Sequence, residues 1–346
     1  MNEKLEELTF DFNKLIIHPQ FNATIEEISK MNVTLPNLSS DTEFDYSNYI
    51  FPENGELVTP INEIGKIKLN PENGQKLVNE EGVVSAYDES INRFNSLEGT
   101  AYFTSHSLVV LGDKDYMPIN YLTFYFYTRS QDIVDKSKHI KFSQEPEVDS
   151  KEDCVKDKIL FLEKSAPSKS ILLVDGPLIG GNVSSYMINA IKSFMKKDIM
   201  PVFFIKNSSS NMVTDNIKEL KSKYNSDLHW SYDYLKSGER TNFFRYTDKN
   251  NPHNTKIFCY LKAFNVSPQR IEMHIDTYIK FEKMVSRIMD MVYYFMLAQG
   301  DLSNPQVRPI AIAEKYARAT LSLIDINKIM KEVGISPTMN QTRFGW

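Results

Sequence analysis

Ile171-Leu172-Leu173-Val174-Asp175-Gly176-Pro177 is the stretch on which the fold turns. Four consecutive apolar residues read as a strand covered on both faces, because a half-buried strand would alternate. Gly176-Pro177 then turns the chain. That leaves Asp175 at the strand's C-terminal end, the edge where ligands bind in open α/β sheets.

The same grammar repeats outward from this strand. Before it, Ser150 to Ser165 reads as a helix, with Ser150 as N-cap and Asp153 three residues on. After it come a helix over Ser184–Lys197, a buried strand Val202–Ile205 and a helix over Val213–Tyr224. Strands alternating with helices imply a parallel portion of sheet. Val83–Tyr87 is a short apolar run ending at Asp88, and Thr100–Leu111 and Asn120–Arg129 read as an antiparallel pair. Lys256–Ala263 and Arg270–Ile275 are two further strands; Phe281–Leu297 and Ile310–Ile329 are long helices. The class is therefore α/β, a mixed sheet flanked by helices over residues 81–346. Residues 1–80 are expected to form an N-terminal arm, with amphipathic helices over 2–17 and 23–31 and irregular chain with short elements over 32–80.

Bulk properties narrow the function. The 346 residues carry a net charge of −5, which argues against a chain that grips nucleic acid alone. Residues 1–50 hold nine acids and three bases, a net of −6, so the remainder stands at +1. The acidity belongs to the arm, which reads as a protein contact or a solvated face. The start of the chain lacks the apolar segment of a signal peptide, and no run of 18 or more apolar residues would span a membrane. The two cysteines, Cys154 and Cys259, sit in apolar-patterned stretches and read as reduced thilos of a cytoplasmic protein, without zinc-site spacing. No GxxxxGK[ST], GxSxG or HExxH motif occurs, and Gly176 to Gly181 is not GxGxxG.

Asp88 and Asp175 are the acids placed for chemistry. Each directly follows a strand, and two such carboxylates on neighbouring strands can share the divalent metals that phosphodiester hydrolysis uses. The alternative is that both merely close turns. A helix running antiparallel to 171–174 should bring its N-terminal acids beside Asp175, which favours Glu152, then Asp153, then Asp157; Glu163 falls at the wrong end. The alternative for each is a complement to the helix dipole. Lys206 ends a strand before Asn207-Ser208-Ser209-Ser210, so Lys206 and Ser208 could hold a phosphate or belong to a solvated loop. Arg270, Glu272 and His274 share one strand face by alternation. The methionines of 281–297 read as core or partner-helix contacts.

Taken in order, several of these segments resemble the NurA nuclease family. Leu172-Leu173-Val174-Asp175-Gly176-Pro177-Leu178 resembles its hydrophobic-Asp-Gly-Pro/Ser-Leu signature, and Val84-Ser85-Ala86-Tyr87-Asp88-Glu89-Ser90 its strand-Asp-Gly-Ser motif. Arg270-Ile271-Glu272 resembles its Arg-hydrophobic-Glu element, and Pro309-Ile310-Ala311-Ile312-Ala313-Glu314-Lys315-Tyr316-Ala317 its C-terminal Pro-x-x-x-Ala-His-x-x-Ala helix. The resemblance covers roughly 80–330. It implies an RNase H-like fold and a nuclease dependent on Mn²⁺ or Mg²⁺. It also implies a homodimer that docks on a HerA-like hexameric ATPase to process DNA ends or act in antiphage defence. Carried over, Asp88, Asp175 and an acid such as Glu152 would bind metal, with Glu314 joining them. Two positions depart from the pattern: Glu89 stands where the family has glycine, and Glu314 where it has histidine. A glutamate can ligate a hard metal, so Glu314 would either rebuild the site or mark its decay.

Overall fold

Alternation along the central strands sorts their side chains into two buried layers. Leu173, Val202, Phe204 and Ala86 pack with Ile288, Met289, Val292 and Ile310 on one face. Leu172, Val174, Phe203 and Tyr87 pack with Phe161, Leu162, Ile191 and Phe194 on the other. A strand buried twice must be apolar throughout, which is why 171–174 shows no period of two. The computed structural model describes residues 56–335 apart from 62–63, 81–82, 112–115, 137–138, 179–183 and 249–252.

In chain order the described elements are β1 (Glu56–Pro60), β2 (Lys66–Lys68), α1 (Pro71–Glu80), β3 (Val83–Asn95), β4 (Thr100–Leu111), β5 (Tyr116–Thr128), α2 (Gln131–Val134), β6 (Ile140–Phe142), α3 (Pro146–Ser165) and β7 (Ser170–Asp175). There follow α4 (Ser184–Lys196), β8 (Met200–Ile205), α5 (Met212–Asn216), α6 (Asp227–Tyr234), β9 (Glu239–Thr241), β10 (Phe244–Asp248), β11 (Lys256–Lys262), β12 (Gln269–His274), α7 (Ile275–Lys280), α8 (Glu282–Gln299), α9 (Arg308–Ser322) and α10 (Ile326–Glu332). The strands form one mixed sheet in the order β1-β10-β11-β12-β8-β7-β3-β4-β5-β6, with β9 joining β11 to β2. The expected parallel portion is β3-β7-β8. Helices α8 and α9 cover what we call the front face; α3 and α4 cover the back.

The fold departs from the sequence reading in four places. First, β3 does not stop at Tyr87 but runs to Asn95, because β4 pairs with it from Val84 to Asn95 while β7 accompanies it only as far as Tyr87. Second, α3 starts at Pro146, where a missing N–H costs nothing. Ser150 is therefore inside the helix and donates to the Glu147 carbonyl at 3.2 Å rather than capping. Third, the helix expected over 213–224 ends at Asn216, and the chain then turns to bury Leu220 and Tyr224 beside Trp230, Phe244 and Tyr260. Fourth, the last long helix breaks at 323–325, where Asp325 caps α10 through the Lys328 N–H at 3.0 Å.

Of the expected arm, the helices over 2–17 and 23–31 lie outside the described residues. Residues 56–80 are built into the same sheet and its helical cover: β1 pairs with β10 and β2 with β9. Met289, Met291 and Met296 are core residues, as their helical spacing suggested. Both cysteines are buried free thiols, and burial pushes each up to about 12, out of the reactive range. Among the described residues, no helix is long and apolar enough to cross a membrane.

Candidate active site

Parallel pairing of β3 with β7 ends at Tyr87 and Val174, so Asp88 and Asp175 are the next residues on two adjacent strands. β8 lies on the other side of β7, with Asp175 level with Phe204. Two residues after Phe204, and so on the same face, stands Lys206. All three side chains follow the front-facing residues Ala86, Leu173 and Phe204, and that face is the one α9 covers. Helix α9 contributes Glu314 from above.

Lys206 is the centre of the group. Its Nζ donates to Asp175 Oδ2 at 2.9 Å and lies 3.6 Å from Glu314 Oε2. The charge of Asp88 acts on it too; these three acids hold the ammonium above its ordinary range against the opposing effect of burial. Asp88 is 7% exposed. Burial first, and the Asp175 charge second, push its carboxyl up to about 7, with Lys206 opposing. Gly176 takes φ +97°, a backbone value that favours glycine, and its N–H bonds Phe204 O at 2.9 Å, so the chain leaves β7 without disturbing β8.

The back of the same strands carries a different set. Lys158 of α3 donates to the Asp175 carbonyl at 3.3 Å and lies 3.2 Å from Glu89 Oε2, over the Tyr87 ring. Tyr87 Oη is 2.6 Å from His106 Nδ1. Burial pushes His106 down to about 4, so the ring is neutral. Glu89 is held below its usual range: burial opposes this, and Lys158 outweighs it.

No α3 acid stands beside Asp175. Glu152 pairs with Lys156 at 2.6 Å, Asp153 with Lys141 at 2.6 Å, and Asp157 accepts from the Tyr125 hydroxyl at 2.9 Å. The helix rises only about 1.5 Å per residue against about 3.3 Å for the strand, so the short β7 ends level with the middle of α3 rather than its first turn, and helical side chains lean toward the N-terminus. The residue that reaches the strand end is therefore Lys158, and Glu152 lies roughly 9 Å further along. Nothing in the periodicity singled out Lys158; only the packing of α3 does. Ser208 is also occupied within the chain, accepting from Arg270 Nη1 at 3.0 Å. Arg270 and Glu272, expected on a polar face, are buried, at 6% and 0% exposure. His274 is structural, accepting from the Asp276 N–H at 3.2 Å to cap α7.

The NurA domain model matches residues 65–318, which span all of these elements from β2 to most of α9. The chain belongs to the NurA family of nucleases. A comparison with curated protein sequences finds no relative. Among solved structures, the NurA nuclease from Sulfolobus solfataricus is 11% identical, with a TM-score of 0.50 over 78% of this chain and 86% of that one. A structure of NurA with manganese is 9% identical, with a TM-score of 0.40 over 74% and 93%. Endonuclease V from Bacillus subtilis is 8% identical, with a TM-score of 0.39 over 74% and 84%. At these identities the likeness concerns the fold alone.

Both departures from the NurA pattern now have a place. Glu314 faces Lys206 in the front group, and Glu89 is matched by Lys158 on the back. Among the described residues, no three His, Cys, Asp or Glu side chains form a preformed metal-holding set. The front acids are instead gathered around an ammonium. Their chemistry nevertheless fits a hard divalent ion: every donor is a carboxylate oxygen, and the three acids face Lys206, with the exposed Arg318 paired to the other oxygen of Glu314. Burial first, and the Asp175 charge second, raise the Asp88 carboxyl against the opposing charge of Lys206.

Proposed function

We propose that this chain is a metal-dependent deoxyribonuclease that hydrolyses DNA phosphodiesters with Mn²⁺ or Mg²⁺. One observation carries the reading: Asp88, Asp175 and Glu314, far apart in the chain, meet around Lys206 at the end of the parallel strands. In this reading Asp88, Asp175 and Glu314 hold the ion, and Glu152, which pairs elsewhere, is left out of the set. A bound divalent ion supplies an activated water and a counter-charge for the leaving oxygen. Lys206 is the group that meets the DNA phosphate. Ser208, engaged by Arg270, shapes the loop that carries the phosphate past it.

The family resemblance extends the proposal to partners. We take the chain to act as a homodimer in the cytoplasm, docked on a HerA-like hexameric ATPase, in DNA end processing or antiphage defence. The near-neutral charge beyond residue 50 suits a nuclease fed by a motor, and the acidic first 50 residues suit a protein contact. The test is cleavage of linear DNA by the purified complex with Mn²⁺, wild type against Asp175→Ala. Loss of cutting in the variant supports the reading; equal cutting ends it.

A second reading is a catalytically impaired subunit that assembles or regulates the ATPase. The observation behind it is that α3 presents Lys158 at the strand end, paired with a glutamate where the family has glycine. A wild-type complex that stimulates ATP hydrolysis yet leaves DNA intact with both metals would favour it.

A further inference from the structure

Three charged residues are buried together in β11 and β12: Lys256 at 4%, Arg270 at 6% and Glu272 at 0% exposure. Buried charge is costly, and apolar residues of the same size often serve stability better. What this group gains is contact with two loops. Glu272 Oε1 accepts from Lys256 Nζ at 2.6 Å and lies 2.9 Å from Arg270 Nε. Its other oxygen accepts from the Leu178 N–H at 3.2 Å. Leu178 is three residues beyond Asp175. Arg270 Nη1 donates to Ser208 Oγ at 3.0 Å and Ser210 Oγ at 2.6 Å, just beyond Lys206.

We infer that the Lys256–Glu272–Arg270 triad is a clamp that sets the spacing of the active site by tying the loop after Asp175 to the loop after Lys206. These are positioning residues, since none of them touches the front acids. The clamp sits on the back: Glu272 is level with Phe203, a back-face residue, and Leu178 packs in the same cluster. It therefore acts through backbone. The far end of the second loop is fixed as well. The Tyr260 hydroxyl bonds Asp227 Oδ2 at 2.8 Å, and that carboxylate accepts the Val213 N–H at 3.0 Å and the Thr214 N–H at 2.9 Å at the start of α5. A guanidinium suits the hinge of the clamp, because it holds Glu272 by an ion pair at Nε, without a hydrogen bond there, while Nη1 donates to two hydroxyls. Neutralised by Lys256, Glu272 keeps one oxygen free for Leu178. The consequence for catalysis rests on the nuclease reading; the mechanical coupling does not.

The test follows hydrogen exchange in the full chain, comparing wild type with S208A/S210A and with Arg270→Lys. The serine variant alters only the second loop. If the clamp couples the loops, exchange accelerates about tenfold at the Gly176 and Leu178 amides and at those of 207–210, while α8 keeps its wild-type rate. Mn²⁺ affinity, read from the free-ion paramagnetic resonance signal, weakens several-fold. Arg270→Lys, which keeps the charge and loses the fork, moves the same amides. Acceleration confined to 207–210 overturns the clamp, as does a wild-type pattern in both variants. A wild-type chain that neither binds Mn²⁺ nor cuts DNA would sink the nuclease reading instead, and the exchange coupling would still decide the clamp.

Discussion

Asp88 and Glu89 are neighbours on β3, yet they face opposite layers and live under opposite rules. On the front, three carboxylates gather at Lys206, with Arg318 on the outer oxygen of Glu314, and burial, with the Asp175 charge second, pushes Asp88 up to about 7. On the back, Glu89 has Lys158 to itself and is held below its usual range, while His106 and Tyr87 are neutral and fully buried. The front keeps charge unbalanced, which suits a site that must bind a cation and a polyanion. The back balances its charge, which suits a wall. One strand, alternating every residue, separates reactivity from support.

The largest effect should separate the faces by activity. If the front is the reactive side, Asp175→Asn lowers Mn²⁺-dependent DNA cleavage by about 10³-fold, the several kcal/mol that a correctly held metal supplies, and Glu89→Gln does not approach that loss. Gel assays on linear DNA measure both. Comparable losses would mean that the two faces form one site.

Next comes stability on the back. Lys158→Met leaves Glu89 without its partner at a site where the lysine is only 10% exposed, and should cost about 3 kcal/mol. Calorimetry should show Tm falling by roughly 4 °C. The double variant with Glu89→Gln should regain most of it. No recovery would show that Lys158 acts through Tyr87 or the Asp175 carbonyl instead.

A smaller effect is expected from the front cation. Lys206→Gln removes the ammonium that competes for the acids, so Mn²⁺ should bind about tenfold more tightly in titration calorimetry, while cleavage falls. Weaker binding would mean that Lys206 organises the acids rather than competing with the ion.

The subtlest test is the pH dependence of Asp88. Its carboxyl is raised in the folded chain from 3.8 to about 7, so between those values the folded state binds a proton that the unfolded state does not. That contribution to stability is complete below the lower value and is lost as pH rises through the upper one. With metal chelated, Asp88→Asn should therefore raise Tm by a few degrees at pH 8 and give no gain near pH 4. A gain that does not change with pH would assign the effect to packing.

Much of this was legible in the chain. Apolar runs marked β7 and β8 because strands covered on both sides cannot hide their composition, and acids following such strands marked Asp88 and Asp175. The resemblance pointed to Glu314 as a companion of these acids, while Lys206 read equally as a phosphate contact or part of a solvated loop. Less legible was the partner that α3 presents. Helical periodicity tells which residues share a face, but how far along the long α3 the short β7 ends decides which of them reaches the strand end. Asp153 and Asp157 were plausible on spacing and are spent on Lys141 and on the Tyr125 hydroxyl.

Local sequence, then, determined what each segment is: its period, its punctuation and the acid at the strand end are properties of a few neighbouring residues. Tertiary structure alone decided which charges are paired. Lys158 with Glu89, Glu272 with Lys256, and Lys206 among three acids are all set by helix and strand packing. Apart from pairs one helical turn apart, such as Glu152 with Lys156, ion pairing needs side chains from distant segments to meet within a few ångströms, a distance that no short stretch of sequence encodes.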